Sequence, residues 1–98
     1  MRKLQPESMI LNQVRGVLQA YGWYVIRIVQ GLGCHRGISD LIAVDKTGNV
    51  HFIEIKTKTG RLSEHQEAFK YQIESRGGSY KVIRSYEETL ESLRKGGD

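Results

Sequence analysis

The sequence predicts an α/β fold in one 98-residue domain, a central four-stranded mixed sheet flanked by helices in the order α-β-β-β-α-β-α. Three observations carry this. Apolar residues recur at helical spacing before Gly22 and after Ser63, and each run ends at glycine. β-Branched and aromatic residues concentrate in short runs separated by turn chemistry. The two central runs are apolar on both faces, as a sheet covered on both sides requires.

Met1 to Gln5 is a short basic start, expected to fray. Pro6 suits a first helical position. Ile10, Val14, Val17, Leu18 and Tyr21 then form one helical stripe, and Gly22 stops it. Trp23 to Gln30 reads as a strand. Gly31 to Gly37 is a glycine-rich loop; no Gly-Lys-Ser/Thr follows, so it matches no phosphate-binding fingerprint. Ile38 to Val44 and Val50 to Lys56 are strands joined by the turn residues Asp45-Lys46-Thr47-Gly48-Asn49. Ser63 opens a second helix with Phe69 and Ile73 inward, and Gly77-Gly78 ends it. Ser79 to Arg84 is the last strand. Ser85 and Glu88 make a capping-box pattern for an additional helix ending near Gly96.

Composition narrows the function. The apolar stretches are too short to span a bilayer, and no signal peptide is visible. The single cysteine, Cys34, excludes an internal disulfide and fits a reducing, cytoplasmic setting. Cys34-His35 does not make a zinc site, because there is no second cysteine and the three histidines are scattered. A net charge of +4 and a pI near 9.4 favour a polyanionic partner. Lys56, Lys58 and Arg61 crowd together, and His35 and Arg36 flank the other approach, as contacts to a phosphate backbone would.

The central hairpin brings chemistry together. If the turn spans residues 45–49, Val44 faces Val50 and Asp40 falls opposite Glu54. Lys56 projects from the same face, two residues on. Two carboxylates about 5 Å apart repel, and one should hold a proton unless a cation lies between them. All-oxygen ligation suits Mg²⁺ or Mn²⁺. The alternative is a lysine neutralising two surface acids. A one-residue slip of register would separate the acids.

Gly37-Ile38-Ser39-Asp40, Phe52-Ile53-Glu54-Ile55-Lys56, Gly60-Arg61-Leu62-Ser63 and Gln66 together resemble the PD-(D/E)xK nucleases, and more narrowly the virus-type replication-repair nuclease (VRR-NUC) domain. The resemblance runs from about Glu7 to Arg84. Ser39 stands where the family has proline. The resemblance implies a restriction-endonuclease-like αβββαβ core and metal-dependent hydrolysis of DNA, leaving a 5′-phosphate and a 3′-hydroxyl. It implies Asp40, Glu54 and the Ile55 carbonyl as metal ligands, Lys56 as the lysine of the reaction, and a glutamine, here Gln66, in the active site.

Two helix-start residues keep two readings each. Glu7, three residues before Ile10 and seven before Val14, falls on the inward stripe of the first helix; it is either an acid favoured by the helix dipole or a third carboxylate near the metal. Gln66 completes a capping box with Ser63, and also aligns with Phe69 on the inward stripe. His51 and His65 fit structural or solvent roles better than a site role, and Tyr71, Tyr80 and Tyr86 fit core or partner contacts. Small stand-alone members of such a family resemble viral resolvases in a host cytoplasm. That implies branched DNA, a four-way junction, and a homodimer offering two sites, with Trp23, Tyr24 or Tyr86 available for the interface. A flap or nicking nuclease, or a non-catalytic DNA-binding module, are the alternatives.

Overall fold

The structure, a computed structural model, describes residues 5–95. The expected frayed start at Met1–Leu4 and the helix end near Gly96 lie outside the described residues. The elements are α1 (Glu7–Ala20), β1 (Tyr24–Arg27), β2 (Leu41–Val44), β3 (Val50–Ile55), α2 (Glu64–Glu74), β4 (Ser79–Ile83) and α3 (Tyr86–Lys95). They form one sheet in the order β1-β2-β3-β4. The first two pairings are antiparallel and the last is parallel, so the sheet is mixed, as expected.

Several boundaries move for local reasons. Pro6 is the N-cap of α1 rather than its first helical residue; its ψ of 152° is extended, and its carbonyl accepts the first helical bond from the Ile10 amide. Tyr21 is the C-cap, and Gly22 leaves the helix with φ 88°. β1 and β2 are shorter than the expected 23–30 and 38–44, because the chain between them diverges into the glycine-rich loop. Their ladder still continues one step further through the bond from Ile28 N to Asp40 O.

The core lies on one face of the sheet. Leu41, Ala43, Ile53, Ile55 and Ile83 pack there against Ile10, Leu11, Val14 and Leu18 of α1, with Trp23, Val25, Tyr86 and Leu93 at its margin. The other face corrects the expectation of full cover. α2 reaches it through Phe69, whose ring meets Phe52 at 5.4 Å and Tyr80 at 6.1 Å. Beyond that, Tyr24, Ile26 and Val50 are 68%, 40% and 46% exposed. α2 has eleven residues and packs over the β4 side of the sheet, so it cannot also roof β1 and β2. Trp23 and Tyr86 are engaged with the core, which leaves Tyr24 as the exposed aromatic of the three proposed for an interface.

His51, on the core-facing side, is structural. Its ring bonds Ser79 Oγ (2.8 Å) and Asp45 Oδ2 (3.0 Å) and stacks on Trp23 at 4.7 Å. It ties the β2–β3 turn to the start of β4. The Thr47 hydroxyl, then His51, hold the Asp45 carboxyl well below the usual carboxylate range.

One glycine fixes how the 31–37 loop meets α2. Gly37 has φ 78°, and a Cβ there would overlap the His65 carbonyl in the first turn of the helix. Gly37→Ala should therefore destabilise the fold by roughly 2 kcal/mol or more, combining backbone strain with a clash. Urea unfolding monitored by circular dichroism measures this. Gly33→Ala has the same backbone strain at φ 90° but no clashing neighbour, and should cost less.

Candidate active site

The register of β2 and β3 is the one that the turn predicts, with Val44 opposite Val50 and Leu41 opposite Ile53. Asp40 immediately precedes Leu41, one residue beyond the end of this ladder, and its Oδ2 accepts the Ile55 amide at 2.8 Å. That bond holds the carboxylate against β3, where Glu54 shares the face away from the core. β3 is a central strand, flanked by β2 and β4, so its side chains are shielded on both edges.

Glu54 is only 2% exposed. Its Oε2 accepts the Gln66 amide Nε2 at 3.0 Å and lies 3.5 Å from the Lys56 ammonium, while its Oε1 is buried with no hydrogen-bond donor among the described residues. Burial pushes its pKa up to about 7, the neighbouring Asp40 charge adds to the rise, and Lys56 opposes it. The site thus carries a carboxylate poised to take or lose a proton near neutrality. Next to it on the sheet, burial first and then the charges of Glu54 and Asp40 raise the pKa of Tyr80, keeping its phenol protonated.

Gln66 combines both of its readings. Its Oε1 accepts the Ser63 amide and its own N–H donates to Ser63 Oγ, which closes the capping box of α2. Its Nε2 is then free to point at Glu54. The cap is what aims the amide.

A cleft of about 380 Å³ gathers Glu7, His35, Arg36, Asp40, Glu54, Lys56 and Gln66. Glu7 enters from the first turn of α1; it is exposed at the rim rather than on a buried stripe. His35 leans on the Phe69 ring at 5.9 Å. Lys58 and Arg61 do not line the cleft but are exposed on the segment leaving β3. Ile55 points its side chain into the core, which leaves only its main chain for the site.

The cleft also holds residues outside the expected set. His65 stands at its rim, 3.2 Å from the Arg36 guanidinium, though its position beside Gln66 was the only sequence signal for it. Gln30 closes the base of the loop by donating to the Ile38 carbonyl, with no signal in the sequence. Ser39, in the proline position, is fully buried and donates its hydroxyl to the Leu41 carbonyl at 2.9 Å. That bond braces the turn carrying Asp40.

Among the described residues, no three acidic, histidine or cysteine side chains form a complete metal cage. The donor set instead suits a hard cation that retains water, held by one or two carboxylates. The unpartnered Glu54 oxygen beside Asp40 is the gap such a cation would fill.

Comparison with known families finds that the VRR-NUC domain matches residues 13–87. A solved structure described as a VRR_NUC domain shares 19% identity and superposes with a TM-score of 0.78, covering 90% of this chain and 94% of that one. No curated protein sequence matches. The matched span begins after Glu7, whereas Asp40, Glu54, Lys56 and Gln66 all lie within it.

Burial of Glu54 makes stability depend on pH. Its folded pKa of about 7 exceeds the unfolded 4.5, so the folded state binds more protons between these values. Stability should be greatest below about pH 4.5 as far as this group is concerned, and should fall until pH 7. In chelator, the wild-type Tm should drop from pH 5 to pH 8. Glu54→Gln should flatten that part of the profile and exceed the wild type at pH 8. Parallel profiles in differential scanning calorimetry would contradict the assignment.

Proposed function

The chain belongs to the VRR-NUC family, and on that premise we propose that it is an endonuclease hydrolysing DNA phosphodiester bonds with Mg²⁺ or Mn²⁺. The observation that carries this is the buried Glu54 carboxylate, one oxygen without a donor among the described residues, between Asp40 and Lys56. Burying that charge destabilises the apoprotein, and a divalent cation would offset the cost.

Asp40, Glu54 and the Ile55 carbonyl would hold the cation, with Glu7 reaching in from α1. When bound, it activates water as a nucleophile and stabilises charge on the phosphoryl oxygens. Gln66 and Lys56 hold Glu54 in one orientation from two sides. The Ile55 amide does the same for Asp40. Lys56 sets the position of the attacking water and neutralises charge developing on the phosphate. His35 and Arg36 on one side, and Lys58 and Arg61 on the other, meet the phosphates of the entering strand.

The substrate in this reading is branched DNA, a four-way junction cut by a homodimer. Two matched incisions need two clefts, and a two-fold pair supplies them. The uncovered strip of Tyr24, Ile26 and Val50 is an apolar surface that a second copy can bury.

Asp40→Asn should abolish cleavage while retaining or tightening DNA binding, because lost negative charge eases phosphate approach. Millimolar Mn²⁺ should raise the Tm of the wild type at pH 8 and leave Asp40→Asn unmoved. Calcium should support binding without turnover. Near wild-type cleavage by Asp40→Asn at saturating metal would rule out the ligand set.

Light scattering at micromolar concentration should give a dimer, and Tyr24→Lys should shift it towards monomer. A strict monomer that cuts flaps as well as four-way junctions would replace the resolvase reading with a flap or nicking nuclease.

A further inference from the structure

The segment from Lys56 to Leu62 has no regular secondary structure, yet it joins β3 to the cap of α2 and carries Lys58 and Arg61. Within it, among the described residues, the main chain makes one bond to itself, from Gly60 N to Thr57 O. A loop so poorly bonded internally should sample many conformations. Arg84, just past β4, supplies the missing restraint. Its Nη1 lies 2.7 Å from the Thr57 carbonyl, 2.7 Å from the Gly60 carbonyl and 3.4 Å from the Lys58 carbonyl.

Three carbonyl dipoles converge on one nitrogen, and their negative ends repel unless a cation sits among them. Arginine is suited to this because its guanidinium stays charged and its N–H groups radiate in a plane. The restraint is itself anchored. The Arg84 amide donates to the Glu88 carboxylate at 3.0 Å, and the Glu88 amide donates to Ser85 Oγ at 3.3 Å in the first turn of α3. α3 thus connects, through Arg84, to the loop that presents the two exposed cations.

We propose that Arg84 is a positioning residue that fixes the Thr57–Gly60 loop so that Lys58 and Arg61 together engage the DNA backbone. This rests on the nuclease reading above, and it assigns to α3 the role of bracing the substrate-binding loop.

Trypsin tests the loop without DNA. In Arg84→Gln, cleavage after Lys58 and Arg61 should accelerate at least about tenfold relative to cleavage after Arg76, which lies on the turn following α2. The same variant should raise KM for DNA about tenfold, reduce the salt slope by about one to two, and leave kcat within a few-fold. In a Lys58→Ala/Arg61→Ala background, it should weaken binding no further, as coupled residues require. Arg84→Lys, which keeps the charge, should restore much of the loss; if Arg84→Gln does not fold, Glu88→Ala, which removes the anchor of the Arg84 amide, serves in its place and should shift the trypsin ratio in the same direction.

An unchanged trypsin ratio overturns the proposal. So does an equal loss of affinity in the double-alanine background, since Arg84 would then act elsewhere. If Lys58→Ala/Arg61→Ala binds DNA like the wild type, the loop's DNA contacts fail and the proposal falls with its premise. The DNA-free ratio tells that failure from a failure of Arg84 itself.

Discussion

An acidic side chain buried in the centre of the sheet governs this molecule. Glu54 is 2% exposed on a central strand, beside a second carboxylate, with one oxygen lacking a hydrogen-bond donor among the described residues. Burying a charge without full compensation is expensive, and interiors tolerate it where it serves a site. The surrounding parts act as devices for keeping that carboxylate in place. Lys56 supplies opposite charge from two residues along the strand. Gln66 supplies a hydrogen bond from across the cleft. Asp40 is tethered to the main chain of Ile55, so it cannot turn away from its neighbour.

These devices depend in turn on two close approaches. The Gln66 amide can reach Glu54 only because Ser63 caps α2 and fixes the first turn of the helix. That turn lies so near the 31–37 loop that Gly37 admits no side chain. A cap, ordinarily a local stabiliser worth about 1 kcal/mol, here also determines the geometry of the cleft. The sheet divides the work between its faces. One side is a continuous aliphatic core under α1 and α3, and it supplies rigidity. The other holds the cleft at one end and an uncovered apolar strip at the other.

The hairpin was legible in the sequence because its rules are local. Side chains alternate with period two, and the Asp45–Asn49 turn sets which residues face each other, so the relation of Asp40 to Glu54 followed from counting. The Ser63/Gln66 cap was legible for the same reason: its partners are three residues apart. The order of elements and the family resemblance, now matched over residues 13–87, also came from the chain alone.

Tertiary structure decided what depends on packing between distant segments. Periodicity placed Glu7 on an inward stripe, but the first turn of α1 projects beyond the core and leaves it exposed at the rim. Apolar alternation implied a sheet roofed on both faces, but alternation cannot tell whether an eleven-residue helix covers four strands or only some of them. Nothing local marked Arg84 as the brace of a loop more than twenty residues earlier in the chain; parallel pairing of β3 with β4 brings them together. Residue type and spacing specify which groups can do chemistry. Which of them meet is set by helix placement and strand order, because those depend on contacts far apart in the chain.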